Sequence, residues 1–273
     1  MGYFKYCGES GVLVLKNLQI KATPPNEFND PFEFSPVVHN PNPKEYAKKE
    51  AKEILTNPRF FDANRFAFPQ EIDNYRKFQV FARANLGKVI GMLEANTQEL
   101  DKSLDVVNML SETTGVICFS AAPLQPLMWA HYANSHKGLV LEFDETSNFF
   151  HPDAFLKVDY AASRVEYNPD GADQRFMVEL FARRKSLDWQ YEQEYRRIVN
   201  LDQTNKQVNG GQTLYLLNIA PELLKSVSFG LRASETMKKE VLSLTEKSPL
   251  NHLQVFNTVA DENEFKLHRV RIK

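Results

Sequence analysis

The stretch Gly115-Val116-Ile117-Cys118-Phe119-Ser120, running on through Pro123–Ala133 to Gly138-Leu139-Val140-Leu141-Glu142-Phe143, decides the fold. Its first six residues form a short apolar run, which reads as a strand buried on both faces. Pro123 to Ala133 has the pattern of a short helix, and Gly138 to Phe143 returns to strand-forming residues. Downstream, further strands are expected at Lys157–Tyr160, Tyr191–Leu201, Thr213–Ile219, Ser226–Phe229, Leu253–Asn257 and Phe265–Ile272. Residues 173 to 188 read as a helix ending near Trp189, and Ser234 to Glu246 as another, capped by Ser234.

Upstream, residues 42 to 112 carry helical patterning. Asn42 and Glu45 make a capping box, with Pro43 at the first helical position. Ala47, Ala51, Ile54 and Leu55 follow at helical spacing. A longer segment from Pro69 aligns Ile72, Tyr75, Phe78, Ala82, Leu86, Val89, Ile90 and Leu93, and a third after Thr97 uses Leu100, Leu104, Val107 and either Met109 or Leu110. The chain opens with a strand at Tyr3-Phe4-Lys5-Tyr6 and an apolar segment from Leu13 to Ile20. Three prolines then make Thr23–Phe34 a loop, and its three phenylalanines predict that it packs against the body. The whole reads as a single α+β domain over residues 1–273 with a helical insertion at about 42–112.

At 273 residues the chain is long enough for one large domain or two small ones. Thirty-three basic and 35 acidic side chains leave a net charge of −2, which argues against extensive nonspecific nucleic-acid binding. Cys7 and Cys118 are the only cysteines, and neither has a His or Cys at metal-ligand spacing. No apolar run reaches the ~18 residues of a membrane span. A secretory leader is not apparent, and Tyr6 stands where a myristoylation signal needs Ser or Thr. The expectation is a reduced, soluble, cytoplasmic protein without membrane contact.

Three stretches carry candidate chemistry. Met128 to Gly138 packs Trp129, His131, Tyr132, His136 and Lys137 beside the buried strand, either as a helix docked by its aromatics or as an aromatic wall for a planar ligand. Trp189 to Val199 holds Glu192, Glu194 and Arg196, which share one face of a strand. Two close carboxylates repel, raising the pKa of one unless Arg196 compensates. Such a pair suits a ribose hydroxyl and a cationic glycosyl transition state, while the plainer reading is a surface salt-bridge ladder. Phe28-Asn29-Asp30-Pro31-Phe32-Glu33 is either a well-built turn or a rigid loop presenting Asn29 and Asp30 at a cleft rim. Walker, GxGxxG, GxSxG and HExxH motifs are absent from the sequence.

These blocks, in this order, resemble a bacterial family known as domain of unknown function 2971. The resemblance rests on Phe4-Lys5-Tyr6, Phe28 to Glu33, Cys118 to Ser120, Met128 to Gly138, then Lys185, Trp189, Glu192, Glu194 and Arg196, and finally Gly230. A weaker resemblance is to ADP-ribosyltransferases, with Tyr6, Ser120 or Tyr132, and Glu194 in matching order. It implies a split antiparallel or mixed sheet, to which the helical patterning of residues 42–112 adds an insertion after the first strand-loop block. It further implies that NAD lies across the sheet, its nicotinamide stacked on an aromatic and Glu194 bonded to a ribose hydroxyl. Tyr6 stands without the His or Arg that many such enzymes use.

The expected function is an NAD-consuming transferase, acting in phage defence or as a toxin-like effector on an unidentified acceptor macromolecule. Glu194, Glu192 and Tyr132 would be catalytic, and Tyr6, Asn29, Asp30, Ser120, Trp129, His131, His136, Lys137 and Arg196 would bind the nucleotide, with no metal. The alternatives are a non-catalytic ligand- or partner-binding module, in which Asn29, Asp30, His131 and Arg196 buttress one another in a closed hydrogen-bond network, and a metal-dependent hydrolase or nuclease using Asp30, Glu33 and Glu194.

Overall fold

In chain order the computed structural model, which describes residues 2–38, 43–58, 61, 71–88, 90–91, 103–167 and 174–273, holds the following elements. β1 (Tyr3–Cys7), α1 (Gly11–Asn17), β2 (Gln19–Ala22) and β3 (Val37–Val38) come first. Three helices follow: α2 (Pro43–Thr56), α3 (Tyr75–Ala84) and α4 (Ser103–Ser111). Next are β4 (Thr114–Ser120), α5 (Pro126–Tyr132), β5 (Leu139–Phe143), β6 (Phe155–Lys157), β7 (Asp159–Ala161) and β8 (Glu166–Tyr167). The rest comprises α6 (Gln174–Arg183), β9 (Arg184–Ser186), β10 (Glu194–Asn200), β11 (Asn205–Asn209), β12 (Gln212–Asn218), β13 (Leu224–Phe229), α7 (Glu235–Thr245), β14 (Gln254–Ala260) and β15 (Leu267–Arg271). The fold is α+β, with a large mixed sheet and a smaller antiparallel one, as expected.

The chain forms two compact units. The first comprises residues 1–36, 104–165 and 173–273. Its large sheet runs β15-β14-β13-β5-β1-β4-β10-β6, and only the β13–β14 pair is parallel. A second sheet, β11-β12-β2, is antiparallel. The large sheet is covered on both faces, which is why β4 has no polar alternation. On one face Ile117, Phe119, Leu141, Phe143 and Val227 join α1 and α7 through Leu15 and Val241. On the other, Phe4, Tyr6 and Val140 join Met128 and Trp129 of α5.

The large sheet is opened at one place. β1 pairs with β5 over five successive positions, but with β4 only at Phe4↔Ser120. Further along the same edge of β4, Val116 bridges to Thr23. Between these two bridges the Cys118 carbonyl accepts the Lys5 ammonium at 3.2 Å. A side chain thus crosses where the backbone ladder is missing.

The second unit comprises residues 37–103 and 166–172. Phe61, Ile72, Phe78 and Ala82 form its core, joined by Ile54, Leu55 and Tyr75. Asn74 caps α3 by accepting from the Lys77 amide at 3.0 Å, so this helix starts at Tyr75. In α4, Leu110 is the buried member of the Met109/Leu110 alternative. Asn42, Pro69, Val89, Leu93, Thr97 and Leu100, which belonged to the expected helical pattern, lie outside the described residues.

Three other expectations in the first unit are corrected. Lys157–Tyr160 is not one strand: Val158 donates to the Glu194 carbonyl at 3.0 Å, ending β6 and starting β7. The helix expected to reach residue 188 stops at Arg183, because Arg184–Ser186 pairs with β7. Leu187–Glu192 is then a 3₁₀ helix, and the strand expected from Tyr191 begins at Glu194. Gln193, at φ 46°, makes the corner between them.

Candidate functional site

The site grows from β10. Glu194 and Arg196 point to the same face of that strand, and Arg196 grips Glu194 with both ends of its fork, each bond 2.9 Å. Arg196 is fully buried. Its guanidinium lies against the edge-to-face pair Phe28 and Phe34, 5.5 and 5.3 Å from their ring centroids, and also bonds Glu33 and the Ala182 carbonyl. The Asn-Asp-Pro-Phe-Glu turn therefore delivers Glu33 to a cation 163 residues away.

Glu192 arrives differently from its neighbour, on the 3₁₀ helix. The left-handed corner at Gln193 turns the chain so that both carboxylates still meet Lys185. The Lys185 ammonium donates to Glu192 Oε2 at 2.6 Å and Glu194 Oε2 at 3.0 Å. Glu33 Oε1 makes an ion-pair contact with it at 3.1 Å but no hydrogen bond of good angle. Tyr132 of α5 closes the ring, donating to Glu192 Oε1 at 2.6 Å. Ser120 donates to the Glu192 carbonyl, and Tyr160 accepts from the Glu194 amide at 2.8 Å. Both hold backbone rather than carboxylate.

Three carboxylates face two cations in this cluster, and their titration diverges. Burial alone would raise Glu194, but Arg196 and Lys185 hold it well below the usual carboxylate range. In Glu192 and Glu33 burial wins over the neighbouring cations, and both are raised. Burial and Glu192 together push the Tyr132 phenol upward, so it stays a donor. Opposed shifts on two adjacent carboxylates are the arrangement by which one remains an anion while the other exchanges a proton. Burial, with Glu194, also raises the Cys118 thiol, which makes it a poor nucleophile.

A cavity of about 100 Å³ opens at the split between β1 and β4. Tyr6, Asn29, Ser120, Tyr132, Glu192 and Glu194 border it, so six of the expected site residues share one hollow. The other expected residues stand elsewhere. Trp129 is fully buried, donates to the Pro123 carbonyl at 3.1 Å and stacks on His136, which makes it core rather than a cavity wall. His136 has φ 68° and an Nδ1 with no partner among the described residues, and burial lowers its pKa. His131 is exposed beside Trp189 and Tyr191, and Lys137 is exposed. Asp30 is buried and faces a different cavity. Arg196 lies behind the carboxylates as their anchor.

As site residues, sequence reasoning left out Lys185 and Lys5 and gave Glu33 only a metal-binding role. Lys185 and Glu33 were visible as terminal members of the motif blocks, and only their burial makes them essential to the cluster. Lys5 stood in the Phe4-Lys5-Tyr6 block, but its role follows only from the missing ladder. Among the described residues no group of three or more His, Cys, Asp or Glu side chains is arranged to hold a metal ion. The cluster carboxylates close instead on Lys185 and Arg196. No helix among the described residues is long and apolar enough to cross a membrane.

A family model described as "Protein of unknown function (DUF2971)" matches residues 128–197. The match supports that family, and it runs from α5 to β10, bringing Tyr132, Lys185, Glu192, Glu194 and Arg196 within its span. No curated protein and no solved structure matches the chain.

Proposed function

We propose that the split in the large sheet is a glycosyl-transfer site of the ADP-ribosyltransferase kind, taking NAD as substrate. The observation that carries this reading is the cavity at the β1–β4 opening, bordered by two carboxylates with opposed titration and by a phenol donor. The hollow takes a group about the size of a nicotinamide ring, and the rest of the nucleotide lies across its mouth. When the C1′–N bond breaks, nicotinamide leaves with the bonding electron pair and the ribose becomes oxocarbenium-like. Glu194, fixed as an anion in a water-poor setting, stabilises that charge. Glu192 takes the proton of the attacking acceptor, and Tyr132 keeps it oriented. Lys5, beside the Cys118 carbonyl and without a carboxylate partner among the described residues, offers a cation to the phosphates.

The test is release of nicotinamide from NAD by the purified chain supplemented with cell lysate as acceptor source. Glu192→Gln is expected to lower turnover at least ~100-fold, the usual contribution of a general base, without abolishing nucleotide binding. Absence of nicotinamide release by the wild-type chain overturns the proposal.

A second reading, a non-catalytic binding module, draws on the closed ion network. About 100 Å³ is below the ~300–1,000 Å³ of ordinary small-molecule pockets. Stoichiometric nucleotide binding with no bond cleavage is its signature in the same assay.

A further inference from the structure

The first unit has a second cavity, of about 250 Å³, which shares Glu33 and Lys185 with the first and no other residue. Its walls are largely aromatic and aliphatic, with Phe32, Phe34, Val165 and Phe181 among them. Arg164 acts as a strut, donating to the Ser35 carbonyl at 2.8 Å, to Ser35 Oγ at 2.6 Å and to the Pro36 carbonyl at 3.2 Å. It also lies over the Phe32 ring, 5.8 Å from the centroid.

Two acceptor atoms here lack what burial demands. Asp30 is 6% exposed; its Oδ1 takes the Phe32 amide at 2.9 Å, but Oδ2 is buried with no hydrogen-bond partner among the described residues. Glu33 Oε1 is buried and has only the angled ion-pair contact to Lys185. The two residues are joined by one turn, closed by Glu33 N donating to the Asp30 carbonyl at 3.2 Å. A buried acceptor left open costs stability, so this turn is built to receive N–H donors. The neighbouring cations do not fill the need. Lys185 is committed to three carboxylates and Arg164 to the 35–36 backbone. The Arg184 side chain, half-buried, has no hydrogen bond or ion pair among the described residues and is reached by water.

Charge selects the donor. Lys185 is divided among Glu33, Glu192 and Glu194, and Arg196 between Glu33 and Glu194, so among the described residues no buried cation pairs with Asp30 and a cationic donor fits it better than a neutral one. Arg164 and Arg184 border the same hollow, which confines the ligand's charge to the Asp30–Glu33 turn. We propose that this cavity binds a ligand bearing an amidinium or guanidinium on an apolar body. The forked N–H groups donate to Asp30 and Glu33, and the body rests on the Phe walls, as Arg196 does against Phe28 and Phe34. The inference stands independently of NAD.

Benzamidine is the probe, with phenylacetate and benzyl alcohol as its anionic and neutral counterparts, each titrated into the full chain by saturation-transfer NMR and thermal melting. Benzamidine is expected to bind saturably and raise the melting temperature, while the other two do not. Asp30→Asn keeps the Oδ1 acceptor of the turn and should weaken benzamidine about tenfold or more. Arg184→Ala should leave it equal or tighter. Absence of saturable benzamidine binding, preference for phenylacetate, or unchanged affinity in a folded Asp30→Asn variant overturns the proposal. The wild-type ranking of the three probes decides the matter by itself if that variant does not fold.

Discussion

Arg196 donates to two carboxylates from a position with no solvent contact, while Glu192 and Glu33 hold raised pKa values a few ångströms away. Removing one side of such a buried pair leaves an uncompensated charge. Arg196→Ala is therefore expected to cost about 3–5 kcal/mol in urea unfolding, even though the pair itself adds little net stability. The pH dependence follows from the same groups. Glu192 and Glu33 keep their protons above the ordinary 4.5 in the folded chain, so their contribution is complete below that value and is lost as pH rises through the raised values. Glu194 runs the other way: its contribution is present above 4.5 and lost as acid reaches its depressed value. Urea midpoints across about pH 4 to 8 should thus show a downward component that Glu192→Gln flattens. An unchanged slope in that variant contradicts the assignment. The residue types were legible in the sequence, and so was the idea of a compensating Arg196. Which carboxylate is anchored and which titrates was not, because that depends on burial and on Lys185.

Strands and turns set the geometry around those groups. The gap between β1 and β4 predicts a hydrogen-exchange signature: the Cys118 amide, facing the opening, should exchange faster than those of Ile117 and Phe119, which face β10. Equal protection at all three positions would mean that the sheet is closed. At the end of α5, Asn134, Ser135 and His136 are successively left-handed, a run that brings the chain back against β1 and the end of β13. A Cβ on Gly138 would fall on the Cys7 carbonyl, and one on Gly230 on the His136 carbonyl. Both obstacles are backbone, so Gly138→Ala and Gly230→Ala should each destabilise the first unit by several kcal/mol, about 3 or more, as read by tryptophan fluorescence in urea. The short apolar runs and the Ser234 cap showed in the sequence because burial on both faces and capping leave local composition signals. The strand expected from Tyr191 did not, since Gln193 carries no mark of its left-handed backbone.

Across the whole molecule the two units have separate cores. Both tryptophans, Trp129 and Trp189, belong to the first, so tryptophan fluorescence reports on that unit while circular dichroism reports on both. Phe78→Ala, at a position 1% exposed in the second core, should cost about 3–5 kcal/mol there. The dichroism transition is then expected to move to lower temperature while the fluorescence transition stays, and a joint shift would show that the units unfold as one. Composition and periodicity by themselves determined an α+β chain, a helical stretch after the first strand and loop, and the identity of the motif-bearing residues. These follow from local propensity and hydrophobic spacing, which every segment carries within itself. Tertiary structure alone decided that Glu33, Lys185, Glu192, Glu194 and Arg196 form one buried cluster, that Trp129 is core, and that the sheet parts at Lys5. Those facts come from pairing between segments as far as 163 residues apart, and burial of a charge is a property of the surroundings rather than of the residue.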